Sequence, residues 1–227
     1  MTEFQNTIDL LGDEAVARKF VDRTIENFAD DCITNIPEYC LYYFDSSLRS
    51  LDLPSVTNIG YGAFQWCKAL EIVNVPKLKG IGSNAFSYCT KLNSADFPLV
   101  ESVGTGAFDG CSSLKSVNLP MLEKVQMSAF YNCAALTSLD FPKANYIYAN
   151  AFNRCKQLSR LVLRSNTLCT LGNTNAFDGT PFAAGGTGGT VYVPQALITQ
   201  YQNATNWSTL YAAGTCNFVA IEGSEYE

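Results

Sequence analysis

Nine cysteines and no histidine bound the chemistry open to this 227-residue chain. Five of them, Cys67, Cys89, Cys111, Cys133 and Cys155, follow one another at a constant step of 22 residues. Thiols can serve as nucleophiles, metal ligands or disulfide partners. Without histidine the usual Ser-His-Asp and Cys-His arrangements are unavailable, and no Cys-x-x-Cys pair offers a zinc-type ligand set. Parallel segments stacked about 4.8 Å apart would bring equivalent Cα atoms within disulfide range, but their Cβ vectors would run parallel rather than converge. The ladder is therefore expected to hold buried thiols acting as small hydrophobes. Cys32, Cys40, Cys169 and Cys216 fall off it. No catalytic residue, cofactor or metal is assigned, and the chain reads as non-enzymatic.

Polar residues at the same step form a second candidate. Asp52, Asn74, Asp96, Asn118, Asp140 and Val162 make one column, and Ser50, Ile72, Ser94, Ser116, Ser138 and Arg160 make the column beside it. Alternating Asp with Asn keeps like charges about 10 Å apart, two coils rather than one. Such a face is either a hydrogen-bonding groove for a glycan or protein loop, with weak calcium as an option, or a solvated surface tuned for stacking. Its lack of Trp, Tyr and Phe, the usual binding hot spots, favours the solvated surface. Trp66, Tyr88, Tyr131, Tyr146 and Tyr148 compete as an exposed surface elsewhere. Two sequons, at Asn203 and Asn206, fall in a terminal cap and are expected unmodified. The Gly185–Gly189 run precedes a strand, so it is not a phosphate loop opening a helix.

What must position these columns is a repeat. Ala-Phe pairs begin at 63, 85, 107, 129 and 151, and prolines stand at 54, 76, 98, 120 and 142, all on the cysteine step. A fixed period in the twenties with a Leu-x-x-Leu-x-Leu segment is the signature of a solenoid. In each coil that segment is expected to be a strand with inward residues such as Leu51/Leu53 or Ala95/Phe97. Proline ends the strand because it cannot donate to the ladder. A second short extended piece follows, carrying pairs such as Val56/Ile59 and Leu122/Val125. Next comes a short helical turn bearing Ala-Phe-x-x-Cys, with Gly62, Asn84, Gly106, Ser128 and Asn150 as its N-caps.

These signals divide the chain into an N-terminal helical cap over 1–24, with its helix at 13–22, and a solenoid over 25–193. The solenoid comprises a degenerate coil at 25–47, regular coils over 48–157 and an irregular coil over 158–190. A C-terminal cap covers 194–227, since a bare terminal coil would expose core and strand edges. Hydrophobic residues make up 47% and charged residues 16%, which fits a chain whose side chains mostly face a shared core. A net charge of −6 argues against a nucleic-acid or anionic-membrane partner. No apolar run is long enough for membrane insertion as a helix, and Met1-Thr-Glu-Phe does not open a secretory signal.

The unit from Leu70 to Leu92, with Val73, Val75-Pro76, Ile81-Gly82, Ala85-Phe86 and Cys89, resembles the BspA-like (Treponema-type) leucine-rich repeat, and the resemblance covers about residues 25–193. It implies a right-handed β/α solenoid of stacked 22-residue coils with a parallel sheet, short helical turns and capped ends. It also implies a non-enzymatic adhesion or recognition role at a cell surface, with a protein or glycan ligand on a concave strand-lined face. It brings no catalytic residues. Gln126 and Tyr148 depart from the glycine at 60, 82 and 104 and are expected to bend the later coils. The alternative is a structural or host-recognition component of a phage or similar particle, docked through the caps or residues 1–24; a cytoplasmic location also stays open.

Overall fold

The computed structural model describes residues 25–44 and 47–227; the expected 13–22 helix lies outside them. The chain is a β-solenoid. One row of parallel strands carries the leucine segments: Asn27–Ala29, Ser50–Asp52, Ile72–Asn74, Ser94–Asp96, Ser116–Asn118, Ser138–Asp140 and Arg160–Val162. Registers such as Leu51 opposite Val73 and Ala95 opposite Val117 show that intervals along the sequence become columns in space. Gly189–Val193 and Cys216–Ala220 extend the row in parallel, so the tail adds a final strand. Leu51, Leu53, Ala95 and Phe97 are buried, as alternation requires.

A second row holds two-residue strands, among them Asn58–Ile59, Gly80–Ile81, Ser102–Val103, Lys124–Val125 and Tyr146–Ile147. Its ladder runs unbroken to Ser102–Val103 and resumes at Lys124–Val125. In the earlier coils a glycine follows the strand, and a Cβ at Gly82 or Gly104 would come within 2.6 or 2.3 Å of backbone in the preceding coil. Gln126 and Tyr148 carry a Cβ at the equivalent places. The ladder is interrupted ahead of Gln126 but continues ahead of Tyr148, whose amide donates to the Val125 carbonyl at 2.9 Å, so losing the glycine does not by itself break the sheet.

The third side of each coil differs from expectation. The Ala-Phe-x-x-Cys segments of the regular coils are turns, not helical turns. Gly62, Asn84, Gly106, Ser128 and Asn150 are not N-caps; they have φ between 55 and 64°. A second left-handed position follows four residues later, at Trp66, Tyr88, Gly110, Asn132 and Arg154. This alternation aims every other N–H along the stack. Gly62, Phe64 and Trp66 donate to the carbonyls of Ser83, Ala85 and Ser87 in the next coil, while Gln65 and Cys67 donate within their own turn, to Gly62 and Phe64. A helix would turn all these N–H groups the same way and lose the bonds between coils. Among the described residues only the irregular coil has a helical element here, the 3₁₀ turn Thr174–Phe177 capped by Asn173.

The core is columnar. Phe64, Phe86, Phe108, Phe130, Phe152 and Phe177 are fully buried, with successive ring centroids 5.4–5.9 Å apart. The five ladder cysteines are also fully buried. Cys89, Cys111, Cys133 and Cys155 form no disulfide. Each thiol donates to a carbonyl of the preceding coil: Cys67 to Leu41, Cys89 to Phe64, Cys111 to Phe86, Cys133 to Phe108 and Cys155 to Phe130, at 3.0–3.1 Å. Burial pushes the Cys89, Cys111 and Cys133 thiols well above their ordinary acidity range.

At the far end, helices α1 (Ile198–Asn203) and α2 (Trp207–Ala212) close the stack. Tyr201 Oη accepts from the Cys169 amide at 2.9 Å, Trp207 Nε1 donates to the Cys169 carbonyl at 2.8 Å, and Asn206 Nδ2 donates to the Leu171 carbonyl at 2.7 Å. The cap therefore satisfies backbone groups that the last coil would leave unpaired. Among the described residues no helix is long and apolar enough to cross a membrane.

Two outcomes follow. Cys32 is the one exposed cysteine; native protein treated with a thiol reagent labels there first, and the other eight react only on unfolding. Phe108→Ala lowers stability by about 3–5 kcal/mol in urea denaturation, since its ring stacks on both neighbours; a loss under 1 kcal/mol would contradict the columnar core.

Candidate functional site

The two polar columns lie on the outward side of the strand row, because alternate residues of each strand face away from the core. Ser50, Ile72, Ser94, Ser116, Ser138 and Arg160 form one exposed or half-exposed column. Asp52, Asn74, Asp96, Asn118 and Asp140 form the other. Val162 is a correction: it is 1% exposed and offers no surface. The C-terminal segment folds over this end, with the Tyr226 ring 4.6 Å from that of Tyr192 and Arg164 donating to the Tyr226 carbonyl.

The Asp–Asn column is paired. Asn74 Nδ2 donates to Asp52 Oδ1, and Asn118 Nδ2 to Asp96 Oδ1, both at 2.7 Å. The backbone ladder breaks between these two pairs, since Ile72–Asn74 and Ser94–Asp96 belong to separate sheets. Asp140 is gripped by Arg164 through Nε and Nη2 at 2.8–3.1 Å, a two-pronged contact with planar geometry. These side chains are held in place before any ligand arrives. The Asp30, Asp31 and Cys32 ligand atoms cluster within 4.8 Å, yet Asp30 Oδ1 already accepts the amides of Cys32 and Ile33. That carboxylate closes its own turn.

The aromatic residues lie on the turn side. Trp66 and Tyr88 stack with centroids 4.0 Å apart and parallel planes, and Lys68 sits over Trp66. Trp66, Tyr88 and Tyr131 are half-buried, as are Tyr146 and Tyr148. Tyr39, Tyr42, Tyr43 and Tyr61 are exposed, as is Tyr211 in the C-terminal cap; sequence reading passed over the first four because they sit in the degenerate coil or beside a turn glycine. Beside this group, Asp109 is half-buried and its Oδ1 has no hydrogen-bond partner. Burial raises its carboxyl from 3.8 to about 6.

A groove on the second strand row was also missed. Its volume is about 630 Å³, and it is lined by Asn58, Lys79, Gly80, Glu101, Ser102, Val103, Met121, Glu123, Lys124, Gln126 and Lys143. The register Asn58, Gly80, Ser102 explains the dip, since side-chain size falls to nothing and then rises through Lys124 to Tyr146. The ladder break at Gln126 falls along the same line. The signal was present in the sequence as a small-residue step within one column.

With the geometry in place, comparison settles the family. A BspA type leucine rich repeat region, in six copies, matches residues 34–159 and 79–184, and the chain belongs to that family. A leucine-rich repeat protein from Bacteroides ovatus is 18% identical, with a TM-score of 0.50 over 90% of this chain and 65% of that one. A leucine rich cell surface protein from Faecalibacterium prausnitzii is 18% identical, with a TM-score of 0.42 over 92% of this chain and 62% of that one. The leucine rich repeat protein of T. pallidum is 22% identical, with a TM-score of 0.46 over 59% of this chain and 78% of that one. The chain thus spans under two thirds of the first two, and likeness at this identity shows the fold alone. No curated protein matches.

The Asp109 carboxyl sets a pH dependence. Between about 4 and 6 the folded chain holds a proton that the unfolded chain releases, so stability falls as pH rises through that window. Complete shielding would make the loss about 3 kcal/mol, and partial exposure reduces it to about 1 kcal/mol by solvent screening. Asp109→Asn therefore raises the Tm at pH 7.5 by about 2–4 °C, with no gain below pH 4. A drop at pH 7.5 would show that the carboxylate has a stabilising partner.

Proposed function

We propose that the chain is a non-enzymatic recognition module that binds a protein or cell-surface glycan through the outward side of its strand row, at a cell surface. The observation that carries this reading is the paired polar column. Asp52 with Asn74 and Asp96 with Asn118 present fixed acceptors and donors on a rigid stack. A ligand meeting that surface loses little to side-chain ordering, which is where a preorganised site gains affinity. Ser50, Ile72, Ser94, Ser116, Ser138, Asp140 and Arg160 flank the pairs and complete the surface. The particle-component alternative gains nothing from the structures compared, which are described as repeat and cell surface proteins.

The test is a surface variant carrying Asp52→Ala, Asn74→Ala, Asp96→Ala and Asn118→Ala. These residues are exposed, so the Tm is expected to stay within about 4 °C of the parent. Binding of the parent to a glycan array or to immobilised matrix proteins is expected to fall at least tenfold in the variant. Silence of the parent on both supports, or unchanged binding by the variant, refutes the strand-side reading.

A further inference from the structure

The groove on the second strand row carries an inference beyond the strand-side reading and independent of it. Lys79, Lys124 and Lys143 line it together with Glu101 and Glu123. Among the described residues the ion pairs are made by Arg49, Lys91, Arg160 and Arg164, and none involves these five. Three ammonium groups and two carboxylates thus share one depression without neutralising one another. Exposed lysines alone are commonplace. Here they border a depression built by a Gly80–Ser102 step and by the ladder break beside Gln126.

We propose that this groove binds an acidic oligosaccharide, one carrying both carboxylate and hydroxyl groups. The lysines need an anionic partner. The two carboxylates repel a ligand that is anionic throughout and instead need hydrogen-bond donors, which sugar hydroxyls supply. Ser102 adds a small neutral donor and acceptor at the floor. Among the lining side chains only Val103 and Met121 are apolar, so the groove has no pocket for the hydrophobic anchor of a bound peptide. From Asn58 to Lys143 it runs roughly 15–20 Å at about 4.8 Å per coil, room for about three sugar rings. Its volume of about 630 Å³ lies within the range of small-ligand sites. Sialylated glycans and uronic-acid polysaccharides share this chemistry.

Calorimetric titration of the full chain with 3′-sialyllactose and with oligogalacturonate distinguishes those two sources, with lactose and polyglutamate as controls. Either acidic sugar is expected to bind, and lactose and polyglutamate at least tenfold more weakly. Lys124→Ala combined with Lys143→Ala, and separately Ser102→Tyr, each weaken the acidic sugar at least tenfold while thiol labelling shows the stack intact. Glu123→Gln strengthens polyglutamate binding, because it removes a repelling charge. Variants at Asp52 and Asn74 leave the titration unchanged, so failure of this site and failure of the strand-side reading are separable. Absence of binding by both acidic sugars, groove variants that keep parental affinity, or polyglutamate binding as well as the sugars would each overturn the proposal.

Discussion

The spacing between coils governs what every position in this chain can hold. Strand pairing sets it near 4.8 Å, so each side chain sits directly on its equivalents in the neighbouring coils. A column must therefore tolerate repetition. Flat rings do so by stacking, and the phenylalanines run almost parallel from Phe64 to Phe130. The cysteine column solves a different problem. The Phe64 carbonyl accepts the Cys67 amide within its turn and the Cys89 thiol from the next coil. Alanine would leave the second acceptor position bare in a dry core, and serine would bring a more strongly hydrated hydroxyl into it. Cysteine is small, apolar and still able to donate. The step of 22 residues in cysteine thus marks a hydrogen-bonded column with no redox or metal function required of it.

Inward positions were legible in the sequence because this constraint acts on them uniformly. Leu53, Val56, Phe64 and Cys67 are each buried, and their equivalents follow coil after coil. The turn was misread for a reason that lies in the residues. Glycine, asparagine and serine favour helix N-caps, while glycine and asparagine also take left-handed φ more readily than other residues. One set of residues therefore satisfied two readings. The position that separates them comes four residues later, where Gly110 and Asn132 are suggestive but Trp66, Tyr88 and Arg154 are not. Large residues at positive φ are strained by about 1–3 kcal/mol, and neither propensity nor period predicts them. Here the hydrogen bonds from the next coil hold the backbone regardless of side chain.

The outward face was legible only in part, since contacts there are not all periodic. The Asp–Asn alternation was visible, and its expected role was to separate charges. Its geometry adds a direct bond from each Asn to the preceding Asp, with a break in the sheet between the two pairs. Val162 continued the column in the sequence, but it is buried at the end where the tail folds back, with Tyr226 against Tyr192 and Arg164, contacts invisible to any repeat register.

A residue that must stack on its own equivalents in the core has no freedom to acquire another contact. Freedom begins on the outward side, and the second strand row shows how. Its ladder is interrupted between Ser102–Val103 and Lys124–Val125, and the Gly80–Ser102 step lowers the surface beside the interruption. Neither change touches the phenylalanine or cysteine columns, which continue through the same coils undisturbed. The stack can therefore open a polar groove on one side without loosening its core. Core and outward surface occupy different columns of the same coil, which is the physical reason a repetitive sequence can vary its surface without disturbing its packing.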